Sequence, residues 1–447
     1  MNDDIGKTGI EYVFENYLRG QNGKKQTDMS VSGETTGEYI TKEAIAGDDV
    51  SLTIDANLQQ VAEEALKNNI EKINNGGFGK AYNAPAGSVV VLNVKTGEVL
   101  AMCSYPDFEP QLFVNGISTD KWNEYNDPKK SALLDRCIQS AYAPGSIFKM
   151  VPATAALETG KVTTTEKIND TGVFHIGDTT KQCWIYPITG HGHGLVNISQ
   201  AIQDSCNYFF YEMGERLGIQ TIQEYAKMFG LGSKTGIELP GEIAGTIAGV
   251  NDEKWYTGDT LNAVIGQADN NYTPIQLVRY IAILVNGGKD PGINIVKDIT
   301  DADGNKVDTT EIQKYVSQKL GIVNTKLPDI NIKPQNLQAI LEGMKDVTTD
   351  EQGTAYSVFK NFNIEVGGKT GSAEAGKDEN GKDKVNAWFV GFAPYDDPEI
   401  AIVVSVENGQ HGVYTSEVAR DIWSAYFGLN GNIQEDRTAQ PVTQSQN

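Results

Sequence analysis

Three serines in this chain are followed three residues later by lysine: Ser118/Lys121, Ser146/Lys149 and Ser357/Lys360. On a helix, side chains three apart share a face, so Ser-x-x-Lys offers a hydroxyl the nearby base that a nucleophile needs. Their neighbours separate the three. Ser146 follows Pro144-Gly145 and opens "SIFKMVPATAALETG", an Ala-rich run that stops at Gly160 and reads as a buried helix. A serine at such a start lies where free backbone N–H groups and the helix dipole favour an oxyanion. An ordinary helix-capping serine carries the same signature. Ser118, in the polar "GISTDKWNEY", and Ser357, in "AYSVFKNFN", follow no Pro-Gly step and read as surface or packing residues.

Two further groups fit around a nucleophile. In "AIQDSCNYFFYEMGERLG", Ser205 and Asn207 stand inside an apolar, helix-like stretch, where a hydroxyl and an amide are costly without a partner or a purpose. Together they suit relaying a proton and holding a substrate amide, although two internally satisfied polar residues would look the same. The tripeptide Lys-Thr-Gly occurs at Lys7, Lys95, Lys234 and Lys369. It is good turn material and proves nothing alone. The copy Lys369-Thr370-Gly371, followed by Ser372, lies on a predicted strand after Gly367-Gly368, where positions without side chains admit a ligand or another backbone. A lysine and hydroxyls there suit a carboxylate.

The elements that must position these groups follow from periodicity. Residues 9–20 place Ile10, Val13, Phe14, Tyr17 and Leu18 on one helical face. A polar, Gly-rich stretch follows, then a strand-like alternation in "DVSLTID" and the helix "ANLQQVAEEALKNNIEKI"; a domain boundary is expected between residues 47 and 48. "GSVVVLNVKTGEVLAMCSY" is two β-branched runs joined by a turn, so the Lys95 copy is a hairpin turn. Three strand candidates lie in "NIEVGGKTGSAEA", "NAWFVGFAPYDD" and "EIAIVVSVENG", with the helix "SEVARDIWSAYFGL" after them. The middle, from about residue 130 to 290, is mostly helical in pattern. Strands near both chain ends with helices between them predict an α+β fold, one antiparallel sheet flanked by helices with a helical subdomain. The final residues, 431–447, lack periodicity and are expected to be a disordered tail.

The formal net charge of −22, with no Lys/Arg-rich run, excludes nucleic acid as a partner. The longest aliphatic stretches fall far short of the ~20 apolar residues that span a bilayer, so the chain as it stands reads as soluble. Mid-protein sequence follows Met1 almost at once, which suggests a missing beginning. "DADGNKVD" starts like a calcium loop but has Lys306 and Ile312 where glycine and glutamate belong, so a hairpin turn is expected. Cys183, His191 and His193 are near neighbours without an evident fourth ligand; loop packing is their expected role, and no metal or other cofactor is expected.

Taken in order, Ser146-x-x-Lys149, Ser205-x-Asn207 and Lys369-Thr370-Gly371 resemble the active-site signature of penicillin-binding proteins and serine β-lactamases. "GIEYVFENYLRG", "LTIDANLQQ", "GQADNNYTPIQL" and "AWFVGFAP" are similar to class B penicillin-binding proteins, particularly the elongation type, and the likeness covers all but the final tail. The resemblance implies that fold and a peptidoglycan D,D-transpeptidase that β-lactam antibiotics acylate. Ser146 would be the nucleophile, Lys149 its base, Ser205 the proton relay and Asn207 a substrate-backbone ligand. Lys369 would supply positive potential, Thr370 and Ser372 would hold the terminal carboxylate, and the Ser146 and Ser372 N–H groups would form the oxyanion hole. Substrate and partners would be peptidoglycan stem peptides, a SEDS-family glycosyltransferase and other elongation proteins. The site of action would be the outer face of the bacterial membrane, reached through an anchor outside this chain. Residues 1–47 would then be the remnant of a pedestal region and 48–430 the transpeptidase domain. The rivals are a D,D-carboxypeptidase, a β-lactamase and a non-catalytic sensor or scaffold. A phosphate-binding loop is excluded, because its pattern requires glycine where the chain has Asn363.

Overall fold

The computed structural model describes residues 5–114, 116–128, 130–250, 254–322, 326–379 and 381–429. The expected tail at 431–447 lies outside them. The chain divides into two compact units.

The first unit combines residues 1–53 with 236–242 and 294–325. Its helix Gly9–Leu18 turns Val13 and Phe14 inward, and Phe14, Tyr17 and Tyr315 form an aromatic cluster in which the Tyr315 hydroxyl donates to Val13 O at 2.7 Å. Strands β1 (Lys24–Met29) and β2 (Thr35–Lys42) form an antiparallel hairpin in the stretch whose polarity hid it, because nearly every one of its side chains faces solvent. Strand β3 (Asp49–Leu52) pairs with β10 (Val296–Thr300) from far along the chain, a join that local periodicity cannot show. This pairing draws two segments read as part of the second domain into the first unit. The 301–308 segment is a turn: Asp301 Oδ1 accepts from the Asp303 and Asn305 N–H groups, and Thr300 bridges to Lys306.

The second unit is built on a five-stranded antiparallel sheet in the order β11-β12-β13-β4-β5, formed by β4 (Gly87–Asn93), β5 (Val99–Tyr105), β11 (Gly367–Lys377), β12 (Asp383–Ala393) and β13 (Ile400–Val406). Every residue of β13, "IAIVVSV", is buried, because helices cover both faces and leave no solvent side for polar alternation. Helices Ala56–Asn74 and Gly412–Tyr426 pack on one face through Leu66, Ile70, Phe389, Val404 and Trp423. The apolar helix Pro274–Val285 lies on the other. Helices Met150–Glu158 and Asn207–Met228 pack together as the helical part. Within the stretch expected to be mostly helical, two small ribbons intervene: β6 (Ile168–Asp170) with β9 (Gly194–Val196), and β7 (Val173–Ile176) with β8 (Thr179–Gln182). Strands this short carry too few alternations to be read from sequence.

Candidate active site

Ser146 sits in a 3-10 turn, Gly145–Phe148, which leads into helix Met150–Glu158. Close backbone approach builds this turn. Gly145 has φ +56° and donates its N–H to Gly266 O at 2.9 Å, while a side chain on Gly266 would lie 2.2 Å from Gly145 O. The Tyr280 hydroxyl, from the helix behind, donates to Ile147 O. Phe148 stacks on Tyr272, and Trp388 Nε1 of β12 donates to Ala143 O at 3.1 Å. From Pro144 to Met150 only Ser146 is not buried, so the turn presents one hydroxyl to solvent.

Lys149 is fully buried, and its Nζ donates to Ser205 O at 2.8 Å, Ser205 Oγ at 3.2 Å and Asn207 Oδ1 at 2.7 Å. Ser205 and Asn207 do not lie within one helix, as their apolar surroundings suggested. Ser205 lies in the break between helices Ile198–Gln203 and Asn207–Met228, at φ +53°, while Cys206 caps the second helix and Asn207 is its first residue. A cap restarts the chain after the break: Cys206 Sγ accepts from Phe209 N at 3.4 Å, while a capping box of Asn197 and Gln200 fixes where the first helix begins. Burial lowers Lys149 to about 8, against the opposing pull of the Cys183 and Cys206 thiols. Lys369 is also fully buried. Burial first, and the Lys149 charge second, hold it well below the ordinary lysine range, with Asp204 pulling the other way. Two ammonium groups in one dry site disfavour each other's charge.

Lys369, Thr370, Gly371 and Ser372 lie on β11, antiparallel to β12 from Val390 to Ala387. Gly371 meets the serine turn: a side chain there would lie 2.9 Å from Ile147 Cγ2 and 3.0 Å from Pro144 O. Gly367 and Gly368 serve differently, leaving room for the rings of Phe392 and Phe389. Thr370 Oγ1 is 2.7 Å from Thr354 Oγ1, and Ser372 Oγ accepts from the Gly412 N–H at 3.4 Å, so Thr354 and the start of helix Gly412–Tyr426 join the site's rim. Sequence reasoning missed both, since each reaches the site only through the folded chain.

The remaining Ser-x-x-Lys and Lys-Thr-Gly copies lie elsewhere. Ser118 caps helix Thr119–Tyr125, and Ser357 is in the short helix Tyr356–Phe359. The Lys95 copy is the β4–β5 turn, where Asn93 Oδ1 accepts from the Lys95 and Thr96 N–H groups. Lys234 is exposed in a loop, and Gly9 of the first copy begins a helix.

The cysteine and histidine reading is corrected. His191 stays outside, but Cys183 and His193 meet two residues that sequence spacing did not suggest, Asp170 and Cys206, with all four ligand atoms within 4.8 Å of one another. His193 Nδ1 is 2.7 Å from Asp170 Oδ2 and 3.5 Å from Cys183 Sγ, and Cys206 Sγ donates to Asp170 Oδ2 at 3.3 Å. A zinc-like ion at its usual bond lengths sets tetrahedral donors roughly 3.3–3.8 Å apart, so this set of two thiols, an imidazole and a carboxylate suits one such cation. Although burial opposes both changes, mutual hydrogen bonding raises His193 to about 9 and holds Asp170 well below the carboxylate range. Within the thiol pair, the neighbouring Cys206 thiol lowers Cys183, while burial raises Cys206. Asp170, Cys183 and His193 come from the ribbons that the sequence did not reveal.

The penicillin-binding protein transpeptidase domain matches residues 87–425, and the penicillin-binding protein dimerisation domain matches residues 1–52. The chain is 31% identical over 443 residues to the peptidoglycan D,D-transpeptidase MrdA of Haemophilus influenzae, covering 95% of this chain and 63% of that protein. It thus spans about three fifths of that relative's length. A crystal structure of Pseudomonas aeruginosa PBP2 in complex with WCK 5153 matches with a TM-score of 0.75 at 31% identity, over 94% of this chain and 84% of that one. A structure described under the coordination of polymerization and crosslinking by a peptidoglycan synthase complex matches with a TM-score of 0.81 at 30% identity, over 97% and 72% of the two chains. Among the described residues, no helix is long and apolar enough to cross a membrane.

Proposed function

The chain belongs to the penicillin-binding proteins, through their transpeptidase domain, and on that premise we propose that it is a serine D,D-transpeptidase that cross-links peptidoglycan stem peptides. The observation that carries this reading is Lys149. It is an amine three residues after an accessible serine, dry enough to shed its proton near neutrality, and hydrogen-bonded to Ser205 and Asn207.

In this reading Ser146 Oγ attacks the carbonyl of the penultimate D-Ala, and neutral Lys149 takes its proton. The N–H groups of Ser146 and Ser372 receive the oxyanion, where one donor is worth ~10²–10³ in rate. Ser205, bonded to Lys149 Nζ, passes the proton to the departing D-Ala amine. Asn207 holds the donor peptide through its amide. Lys369, Thr370 and Ser372 take the terminal carboxylate, whose negative charge offsets the burial that disfavours an ammonium at Lys369. An amine from a neighbouring strand then attacks the Ser146 ester, and Lys149 accepts its proton. A β-lactam mimics the donor and halts at the ester. The work is done at the outer face of the cell membrane beside a SEDS-family glycosyltransferase that makes the glycan strands, together with other elongation proteins.

The test is intact-mass spectrometry after mixing with a penicillin. A lasting adduct of one drug mass on the peptide containing Ser146, absent from Ser146→Ala, is the expected result. Labelling that survives Ser146→Ala refutes the assignment, and rapid return to the unmodified mass with hydrolysed drug accumulating makes the chain a β-lactamase.

A further inference from the structure

The cation cluster is tied to the active site by one residue. Asp170 ends β6, Cys183 follows β8 and His193 precedes β9, so three ligands belong to the small ribbons. The fourth, Cys206, stands between Ser205 and Asn207, the two residues that receive Lys149 Nζ. Two of the four ligands are thiols, which do what a carboxylate or an imidazole cannot: they bond to each other. All four cysteines are free thiols, and Cys183 and Cys206 have their sulfurs within 4.8 Å.

We propose that Cys183 and Cys206 are an oxidisable pair, which forms a disulfide at the expense of the cation site and in doing so moves the Ser205–Asn207 turn away from Lys149. The inference rests on the proposed active site. The oxidant is a peroxide. One thiol attacks a peroxide oxygen, the O–O bond breaks, and a sulfenic acid and one water result; the second sulfur then displaces the sulfenic oxygen as another water. The two sulfurs lose two electrons in total, and the peroxide gains them. Both thiols and the Asp170 side chain are fully covered, and the cluster's exposed edge is the His193 ring at 11%, past which a molecule as small as hydrogen peroxide must come. Two thiolates on one tetrahedral cation sit roughly 3.7 Å apart, whereas bonded sulfurs lie about 2.05 Å apart. Closing that gap must pull on Cys206, and Ser205 beside it already holds the left-handed conformation that few non-glycine residues adopt. A displacement on the order of 1 Å at a catalytic group costs up to ~10²-fold in rate.

The experiment uses the whole chain loaded with zinc, alongside Cys183→Asp, which keeps four donors but only one thiol at the cluster. Each is treated with hydrogen peroxide. Readouts are zinc release to a chromogenic chelator, non-reducing mass and peptide mapping, and the acylation rate with a fluorescent penicillin. For the native chain we expect zinc release, a loss of about 2 Da mapped to a Cys183–Cys206 link, and acylation slowed ~tenfold or more and restored by dithiothreitol with zinc. Cys183→Asp should hold zinc and ignore peroxide in all three readouts; if it fails to fold, Cys183→Ser supplies the single-thiol comparison for linkage and rate. Absence of the linked peptide overturns the proposal, as does a linked chain that acylates at the untreated rate, or a single-thiol variant that responds like the native one. Failure of the reduced, zinc-loaded chain to acylate would instead strike the transpeptidase reading, because linkage and zinc release are measured without it.

Discussion

Gly371→Ala tests the join between the Lys369 strand and the serine turn. The added methyl would lie 2.9 Å from Ile147 Cγ2, 3.0 Å from Pro144 O and 3.3 Å from Ile147 N. Carbon pairs rest at about 3.5–4.0 Å, so β11 and the turn must part by roughly 0.5–1 Å. The turn yields little on its own side, because Gly145 N is bonded to Gly266 O and Ile147 O to Tyr280. The strand therefore moves, and the Ser372 N–H and Lys369 move with it. Overpacking of this kind costs about 1–3 kcal/mol of stability, and a shift near 1 Å at the reacting groups costs up to ~10²-fold in rate. The assay is the second-order rate of acylation by a fluorescent penicillin, with the thermal midpoint measured in parallel. Gly258→Ala is the comparison, since its methyl would meet nothing closer than Thr179 Cγ2 at 3.5 Å. We expect Gly371→Ala to slow acylation ~10- to 100-fold below its melting transition while Gly258→Ala stays within about twofold. If Gly371→Ala acylates at the native rate, the close approach has no part in the reaction and the reasoning fails.

Burial lowers Lys149 to about 8, so the neutral base is roughly a tenth of the population at pH 7 and half at pH 8; acylation by an uncharged-side-chain penicillin should climb with pH through this range and then level, and a profile flat from about pH 6.5 to 9 would remove Lys149 as the base. The Lys-Thr-Gly copies should separate: Lys369→Ala slows acylation by orders of magnitude, while exposed Lys95→Ala and Lys234→Ala remain near the native rate in the same assay, and equal losses at Lys95 and Lys369 would mean that the buried strand position has no special role.

What could be read from the sequence follows the range of the forces involved. The antiparallel sheet was legible because β4, β5, β12 and β13 carry β-branched or apolar runs bounded by Gly, Asn and Asp turns, as buried strands need, while β11, "GGKTGSAEAGK", was marked only by its glycines and the runs beside it. Ser146 and Lys149 were legible because a turn brings residues three apart together, and Asn93 beside Lys95 marked the hairpin for the same local reason. The exposed β1–β2 hairpin was not, since polar strands carry no apolar alternation. Nor was the pairing of β3 with β10, whose partners meet only through the folded chain. The cation cluster shows the limit most sharply. Cys183 and His193 drew notice because they are near in sequence, and so did His191, which the fold leaves out. Asp170 and Cys206 were passed over because nothing in the sequence marks the strand that Asp170 ends, and Cys206 is the unnamed middle of Ser-x-Asn. Only the return of β9 alongside β6 carries His193 back to Asp170, and only the helix break at Ser205 turns Cys206 toward both. The same break aims Ser205 and Asn207 at Lys149, so one interruption between two helices serves both the cation cluster and the proposed proton relay. A change at either should therefore be felt at the other, and peroxide treatment of the thiol pair is the perturbation that enters from the cluster's side.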